Sequence, residues 1–288
     1  MLIPEALRRH RADPVGAAWL DDLPRLVAAC VDRWGLRLGD PYPGATVSFV
    51  APAARDDGTA VVLKIQLPHR ECEHEAAALA VWDGAGAVRL LDHDPTLGAL
   101  VLERCTPGTH LAGRDPEVAL DVLVGLLPRL WHRAGTPFRD AADEARAWAI
   151  ELPARWERAG RPFERALLDA AVGTLAELVA SPGPRVLVHQ DLHADNVLAA
   201  EREPWLVIDP KPLAGDRELG LAPIVRSYEL GHSRAAVLHR LDRLSAELGV
   251  DRGRARAWAL AQTVAWAFAG DTVLPRHVDT ARWLRAAG

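Results

Sequence analysis

The sequence predicts an α+β chain in two parts, small antiparallel sheet first and helices after, and three observations carry that reading. Thr46 to Ala51, Ala60 to Gln66, Val88 to Leu91 and Leu97 to Glu103 are short β-branched or apolar runs separated by turn residues. A single helical stretch, Glu71 to Trp82, interrupts them. From Pro107-Gly108 onward the apolar spacing becomes helical almost throughout, over Pro116 to His132, Asp140 to Trp156, Pro162 to Ala180, Ser233 to Leu248, Arg252 to Phe268 and Pro275 to Ala287. The boundary therefore falls near residue 106, dividing the chain into 1–106 and 107–288.

Ahead of the strands, Ala17 to Trp34 places Leu20, Leu23, Leu26, Val27, Cys30, Val31 and Trp34 at helical spacing. This predicts an amphipathic helix packed behind the sheet. The helical half is broken once. Val186-Leu187-Val188 reads as a buried strand entering a polar loop, Val197-Leu198 as a strand leaving it, and Trp205-Leu206-Val207-Ile208 as its antiparallel partner.

That break holds the most informative pattern in the chain, His189-Gln190-Asp191-Leu192-His193-Ala194-Asp195-Asn196, followed by Ile208-Asp209. An acid, an amide and a second acid in this order fit phosphoryl transfer. One carboxylate accepts the proton of an attacking hydroxyl, while the amide and the other carboxylate hold magnesium against the phosphates of ATP. Asp191 is the expected base, and Asn196 and Asp209 are the expected metal ligands. His189 is expected to anchor backbone rather than carry protons, because Asp191 already fills the base position. An Asp- and Asn-rich turn capped by its own side chains is the plain alternative. A zinc site from His189, Asp191 and His193, completed by His232 or His239, is the sharper one.

Lysine is nearly absent. The chain has only Lys64 and Lys211, and arginine supplies the rest of the positive charge. Lys64 ends Ala60-Val61-Val62-Leu63, a run that follows the turn Asp56-Asp57-Gly58 and predicts a central strand. A phosphate-holding lysine on such a strand needs a glutamate on the next helix. Glu75, embedded in alanines before Leu79, is the expected partner, with Glu71 in reserve. Lys211, two residues after Asp209, is either a solvated turn lysine or a phosphate contact.

Taken together these segments resemble the aminoglycoside phosphotransferase family, and within it the streptomycin 6-kinase and hydroxyurea kinase group. Besides the Val188 to His193 block, the resemblance rests on Val31-Asp32-Arg33-Trp34, Val88 to Pro95, Val101-Leu102-Glu103-Arg104, and Asn196 to Leu206 running into Ile208-Asp209-Pro210. It covers nearly the whole chain. It implies a bilobal protein-kinase-like fold, ATP and Mg2+ as cofactors, and transfer of the γ-phosphate to a hydroxyl of a small molecule. Leu100 to Cys105 would be the hinge, with the main chain of Glu103 and Cys105 pairing with adenine. Ala45 to Ser48, including the Ser48 hydroxyl, would contact phosphate, although Pro43-Gly44 supplies a single glycine there. One departure stands out. Where the family braces its catalytic loop with a further Asp, Gly215-Asp216-Arg217-Glu218-Leu219 runs into Gly220, so that either Glu218 substitutes or the loop is braced differently.

For a polycationic substrate the carboxylates Glu151, Glu157, Glu229 and Asp271 are candidates, with Trp148, Trp156, Trp266 and Trp283 as possible walls. The sequence around Trp266 and Asp271 is less acidic than a dicationic sugar would favour. Three functions follow: a streptomycin-type antibiotic kinase, a kinase for hydroxyurea or another small hydroxyl compound, and a weakly active nucleotide-binding pseudokinase. Composition agrees with a soluble cytoplasmic enzyme acting as a monomer. The 288 residues carry a net charge of -5, which argues against nucleic acid and suits a cationic substrate. The start Met1-Leu2-Ile3-Pro4-Glu5 does not read as a signal peptide, and no apolar run is long enough for a membrane span. Cys30, Cys72 and Cys105 form no spaced pair and are expected to be reduced.

Overall fold

A computed structural model describes residues 3–288; Met1 and Leu2, where the expectation about a leader begins, lie outside the described residues. The chain divides into two compact units. One takes in the described residues through Gly108 together with Ala200–Leu206, and the other spans Thr109–Ala199 and Val207–Gly288.

In the first unit a short helix α1 (Glu5–Arg8) precedes α2 (Pro14–Trp34). Asp13 caps α2 by accepting a hydrogen bond from the Gly16 amide, Pro14 sits in its first turn, and Gly35 ends it at φ 57°. The sheet follows: β1 (Arg37–Leu38), β2 (Ser48–Ala54), β3 (Ala60–Gln66), helix α3 (Glu75–Trp82), β4 (Leu90–Asp94) and β5 (Ala99–Glu103), in the order β1-β2-β3-β5-β4 with every pairing antiparallel. The β2–β3 turn is closed by the Asp57 carboxylate accepting from the Thr59 amide at 2.8 Å, and Gly58 takes the left-handed conformation at φ 85°. Period-two alternation then decides what each β3 side chain does. Val61, Leu63 and Ile65 join Leu20, Leu23, Val27 and Cys30 of α2 in one apolar core, which leaves Lys64 on the other face of the strand.

The boundaries differ from expectation where local polarity misleads. β2 starts two residues later than the run suggests and extends through Pro52 to Ala54. β4 takes in Asp92-His93-Asp94, a polar stretch that an edge strand tolerates. α3 begins at Glu75 rather than Glu71, because the carbonyl of Cys72 is held by the Gln66 side-chain amide at 3.1 Å and the segment before Glu75 forms turns.

Arg202 ties the returning segment Ala200–Leu206 to this unit. Arg202 donates to both carboxylate oxygens of Glu103 at 2.7 and 2.9 Å, to the carbonyls of Gly84 and Ala87 at 2.7 and 2.9 Å, and to Glu203 at 3.0 Å. The planar guanidinium matches this fork. Burial would raise the Glu103 pKa, but Arg202 and the Arg89 amide together hold it below its ordinary value.

The second unit is helical around short ribbons: α4 (Pro116–Leu130), α5 (Ala141–Arg158), α6 (Arg165–Ala180), α7 (Ala222–Arg226), α8 (Arg234–Leu248), α9 (Arg252–Ala265) and α10 (Pro275–Arg285). β6 (Val186–Val188) pairs with β9 (Leu213–Gly215) and β10 (Phe268–Ala269) with β11 (Thr272–Val273), while β7 (Val197–Ala199) pairs with β8 (Trp205–Val207) in the hairpin whose tip, Ala200–Leu206, is counted with the first unit. The last expected boundary of α9 moves from Phe268 to Ala265, since Gly270 at φ 61° turns the chain into the β10–β11 ribbon. All three cysteines are free. Among the described residues no helix is long and apolar enough to cross a membrane.

If the Arg202 fork closes this part of the first unit, Arg202→Ala should cost on the order of 2–4 kcal/mol in urea unfolding, because it strands a partly buried carboxylate and two carbonyls. Arg202→Lys should recover less than half of that loss. A lysine variant as stable as the parent would show that charge alone, and not the planar fork, does the work.

Candidate active site

In the first unit Lys64 and Glu75 meet as the spacing predicts. Lys64 Nζ lies 2.7 and 2.6 Å from the two carboxylate oxygens of Glu75, with the two residues 5% and 1% exposed. Gln66 Nε2 donates to the same carboxylate at 2.6 Å, so the pair has a neutral brace from its own strand. A buried ion pair offsets its desolvation only when its remaining lone pairs are satisfied, and here Gln66 does that. Glu71 is not the partner: it lies in the turn before α3, near His69. Ser48 opens β2 opposite Gln66, buried, with its hydroxyl making no hydrogen bond.

In the expected hinge one backbone donor is already engaged. The Glu103 amide donates to the Arg89 carbonyl at 2.9 Å, so it is not free to donate to a base. Cys105 is half-buried, and burial pushes its thiol up to about 11, which leaves it an unreactive neighbour at neutral pH.

In the second unit the loop after β6 is tied by His189. Its Nε2 lies 2.9 Å from the Ile208 carbonyl, which can only accept, so Nε2 carries the proton and Nδ1 is the acceptor for the Asp191 amide at 3.3 Å. Its own carbonyl accepts from the amides of Asp191 at 2.8 Å and Lys211 at 3.0 Å. Burial pushes its pKa down to about 4. His189 is thus a neutral anchor, as the sequence suggests. Gln190 beside it is fully buried at φ 62°, with neither side-chain polar atom hydrogen-bonded; Asp209 is left-handed too, at φ 57°. Strained backbone and an unsatisfied amide together mark a segment shaped by something other than stability.

The loop brings Asp191, Asn196 and Asp209 into one neighbourhood. Asn196 Nδ2 donates to the Asp191 carbonyl at 2.9 Å, which turns its Oδ1 away from that carbonyl. The Ile208 amide donates to the Asn196 carbonyl at 2.9 Å, setting Asp209 one residue from that contact. Both side chains offer oxygen, the donor type that a hard divalent cation takes.

Cations surround Asp191. Lys211 Nζ lies 2.6 Å from Oδ2, while Arg226 Nη2 and His193 Nε2 each stand 3.9 Å from Oδ1. Arg226 and Lys211 both lie over the Trp266 ring, at 4.6 and 5.0 Å from its centroid. Glu229 accepts from the Ala194 amide at 3.1 Å and faces His193 Nδ1 at 3.2 Å. Burial would raise Glu229, but the His193 hydrogen bond and the backbone outweigh it and bring its pKa to about 2. Burial likewise opposes protonation of His193, and the Glu229 hydrogen bond reverses that, raising its pKa. Of the expected substrate residues, Glu229 and Trp266 therefore lie at the loop. Glu151 is exposed on α5 and Asp271 is exposed at the β10–β11 turn. The zinc alternative has no completing ligand: His189 holds Ile208, His232 lies against Arg276 and Thr280, and His239 against Glu117.

The loop's brace was the main feature the sequence left open. Glu218 does not supply it; its carboxylate lies 3.6 Å from neighbouring Arg217. Asp216 is also turned elsewhere, to the Gly183 amide at 2.6 Å, the Trp258 indole at 2.7 Å and Arg254. Gln262 of α9 takes the role, donating to the Gln190 carbonyl at 3.0 Å while its own Oε1 accepts from Arg226 at 2.6 Å. No local signal marks Gln262, because its partner lies 72 positions away.

Comparison with known proteins fits this arrangement. Residues 33–271 match the family model described as aminoglycoside/hydroxyurea antibiotic resistance kinase. The chain belongs to this family. Streptomycin 6-kinase of Streptomyces griseus is 43% identical over 254 residues, covering 86% of this chain and 82% of that protein. Hydroxyurea phosphotransferase of Kitasatospora aureofaciens is also 43% identical over 254 residues, covering 86% and 73%. Among solved structures, choline kinase LicA from Streptococcus pneumoniae matches with a TM-score of 0.64 at 14% identity, covering 92% of this chain and 99% of that one. Aminoglycoside phosphotransferase APH(4)-Ia gives a TM-score of 0.61 at 15% identity, with 91% and 96% covered. These two likenesses bear on fold, and they agree with a protein-kinase-like architecture. The protein is a small-molecule kinase.

Two buried histidines make stability pH-dependent in a stated direction. His189 is pushed down to about 4 and His277 to about 3, both chiefly by burial, so the unfolded chain binds protons that the folded chain refuses. Their contribution is complete above the unfolded value near 6.5 and is lost as pH falls from there toward 4. Lowering the pH from 7 to 5 should cost about 1–2 kcal/mol per histidine in urea unfolding. His277→Gln should remove one such share, and an unchanged slope in that variant would exclude His277 from the effect.

Proposed function

We propose that this kinase moves the γ-phosphate of ATP to a hydroxyl of an aminoglycoside of the streptomycin type. The observation that carries the reading is Asp191, a carboxylate fixed at a left-handed loop, with Asn196 and Asp209 beside it. Asp191 takes the proton of the acceptor hydroxyl as that oxygen attacks phosphorus. Asn196 Oδ1 and the Asp209 carboxylate would hold magnesium, which when bound offsets phosphate charge. In the first unit Lys64, aimed by Glu75, and the Ser48 hydroxyl are the phosphate contacts, and the Cys105 amide is the remaining donor for adenine. The intact loop, braced by Gln262, speaks against a pseudokinase.

Hydroxyurea, or a similarly small uncharged hydroxyl compound, is the second reading, and one observation favours it. Lys211, Arg226 and His193 crowd Asp191, and Glu229 is already engaged by His193. A dicationic guanidino sugar must meet that charge, and a neutral acceptor need not.

An ATP-consumption screen over streptomycin, other aminoglycosides and hydroxyurea, with product mass measured, separates the two. Streptomycin gaining one phosphoryl group supports the first reading; turnover confined to hydroxyurea supports the second. No acceptor-dependent turnover on any of them would overturn both.

The residue roles have their own test. Asp191→Asn should lower kcat by roughly two to four orders of magnitude with ADP affinity nearly unchanged. Asp209→Asn should weaken ADP binding in magnesium and leave magnesium-free binding as it was. Identical calorimetric affinities with and without magnesium, in both parent and variant, would remove the metal assignment.

A further inference from the structure

Lys211 is held far more tightly than a turn lysine requires. It stands between Pro210 and Pro212, so the ring behind it is fixed in φ and the ring ahead disfavours helical backbone at Lys211 itself. Its amide is bonded to the His189 carbonyl at 3.0 Å, which ties its backbone to the loop that carries Asp191. The side chain is only 17% exposed, its ammonium reaches Asp191 Oδ2 at 2.6 Å, and the Trp266 ring lies 5.0 Å beneath it. Among the described residues this is the one hydrogen bond to the Asp191 carboxylate. Oδ1 has Arg226 and His193 at 3.9 Å, too far to occupy its lone pairs.

We propose that Lys211, seated on Trp266, is a positioning residue that fixes the Asp191 carboxylate through Oδ2 and presents Oδ1 to the acceptor hydroxyl. This rests on the reading of Asp191 as the base. A carboxylate free to rotate would divide its time between productive and unproductive orientations, and a pinned one does not. The choice of lysine follows. A compact ammonium marks one oxygen, whereas a guanidinium fork would engage both and block the hydroxyl. Trp266 changes role accordingly: its face is taken by Lys211 and Arg226, so it supports the base instead of lining the substrate pocket.

The test uses the full chain, Mg-ATP and whichever of streptomycin or hydroxyurea is turned over. Lys211→Met should lower kcat about 10- to 100-fold with the KM for ATP and the ADP affinity within about twofold of the parent. Lys211→Ala should regain activity saturably with added ethylammonium. In an Asp191→Asn background Lys211→Met should cost less than about twofold more, because the group it positions is gone. A kcat for Lys211→Met within twofold of the parent, while Asp191→Asn is inactive, overturns the proposal and leaves the base reading standing. A loss confined to the KM for ATP also overturns it, since the ammonium would then be a phosphate contact. Near-normal turnover in Asp191→Asn overturns the base reading itself. Should Lys211→Met fail to fold, Lys211→Arg decides: a tenfold or greater fall in kcat supports the proposal and parental kcat sinks it.

Discussion

His189 is the point on which the geometry of the second unit turns. Its ring reaches Ile208, its carbonyl takes two amides, and its side chain receives a third contact from Asp191, so one residue joins β6, the loop and the Asp209 turn. That load explains why it is kept neutral. A proton on Nδ1 would remove the acceptor facing the Asp191 amide and place a charge on a fully buried ring. The left-handed backbone at Gln190 and Asp209 is then a consequence: the chain must reverse sharply to deliver two carboxylates to one place, and His189 together with Gln262 over-determines the strained conformation.

The charge distribution around Asp191 reconciles two demands. The base that we propose Asp191 to be must be ionised yet not sequestered, and a lone carboxylate in this setting would be expensive to desolvate. Here one oxygen is bonded and the other is only approached. The same cations that crowd the carboxylate make the site less hospitable to a positively charged acceptor. Any cationic substrate must therefore bring its charge to bear away from the loop.

What the sequence disclosed about the site was whatever depends on short spacing. Asp191 and Asn196 share a loop of a few residues, Asp209 follows a short ribbon, and Lys64 and Glu75 are separated by one turn and a helix start. The helical half and the antiparallel sheet were legible for the same reason, periodicity being a local property. The rest depends on pairs far apart in the chain. Gln262 with Gln190, Arg226 with Trp266, and Arg202 with Glu103 leave no local trace, since each member alone reads as an ordinary helix or turn residue. Of the two braces left open, Glu218 or a different arrangement, the fold supplied the second, from a helix farther along.

The tip at Ala200–Leu206 has a bearing on how the protein is made. A ribosome delivers the sheet through β5 long before Arg202 emerges, so during synthesis Glu103 and the carbonyls of Gly84 and Ala87 must wait, hydrated, for a guanidinium nearly a hundred residues downstream. The amino-terminal unit can collapse early around α2, but it is finished only when the catalytic hairpin has been translated. The nascent chain thus completes its first unit and its phosphoryl-transfer loop in the same interval, and a truncated product ending before that hairpin would carry an open seam recognisable to quality-control proteases.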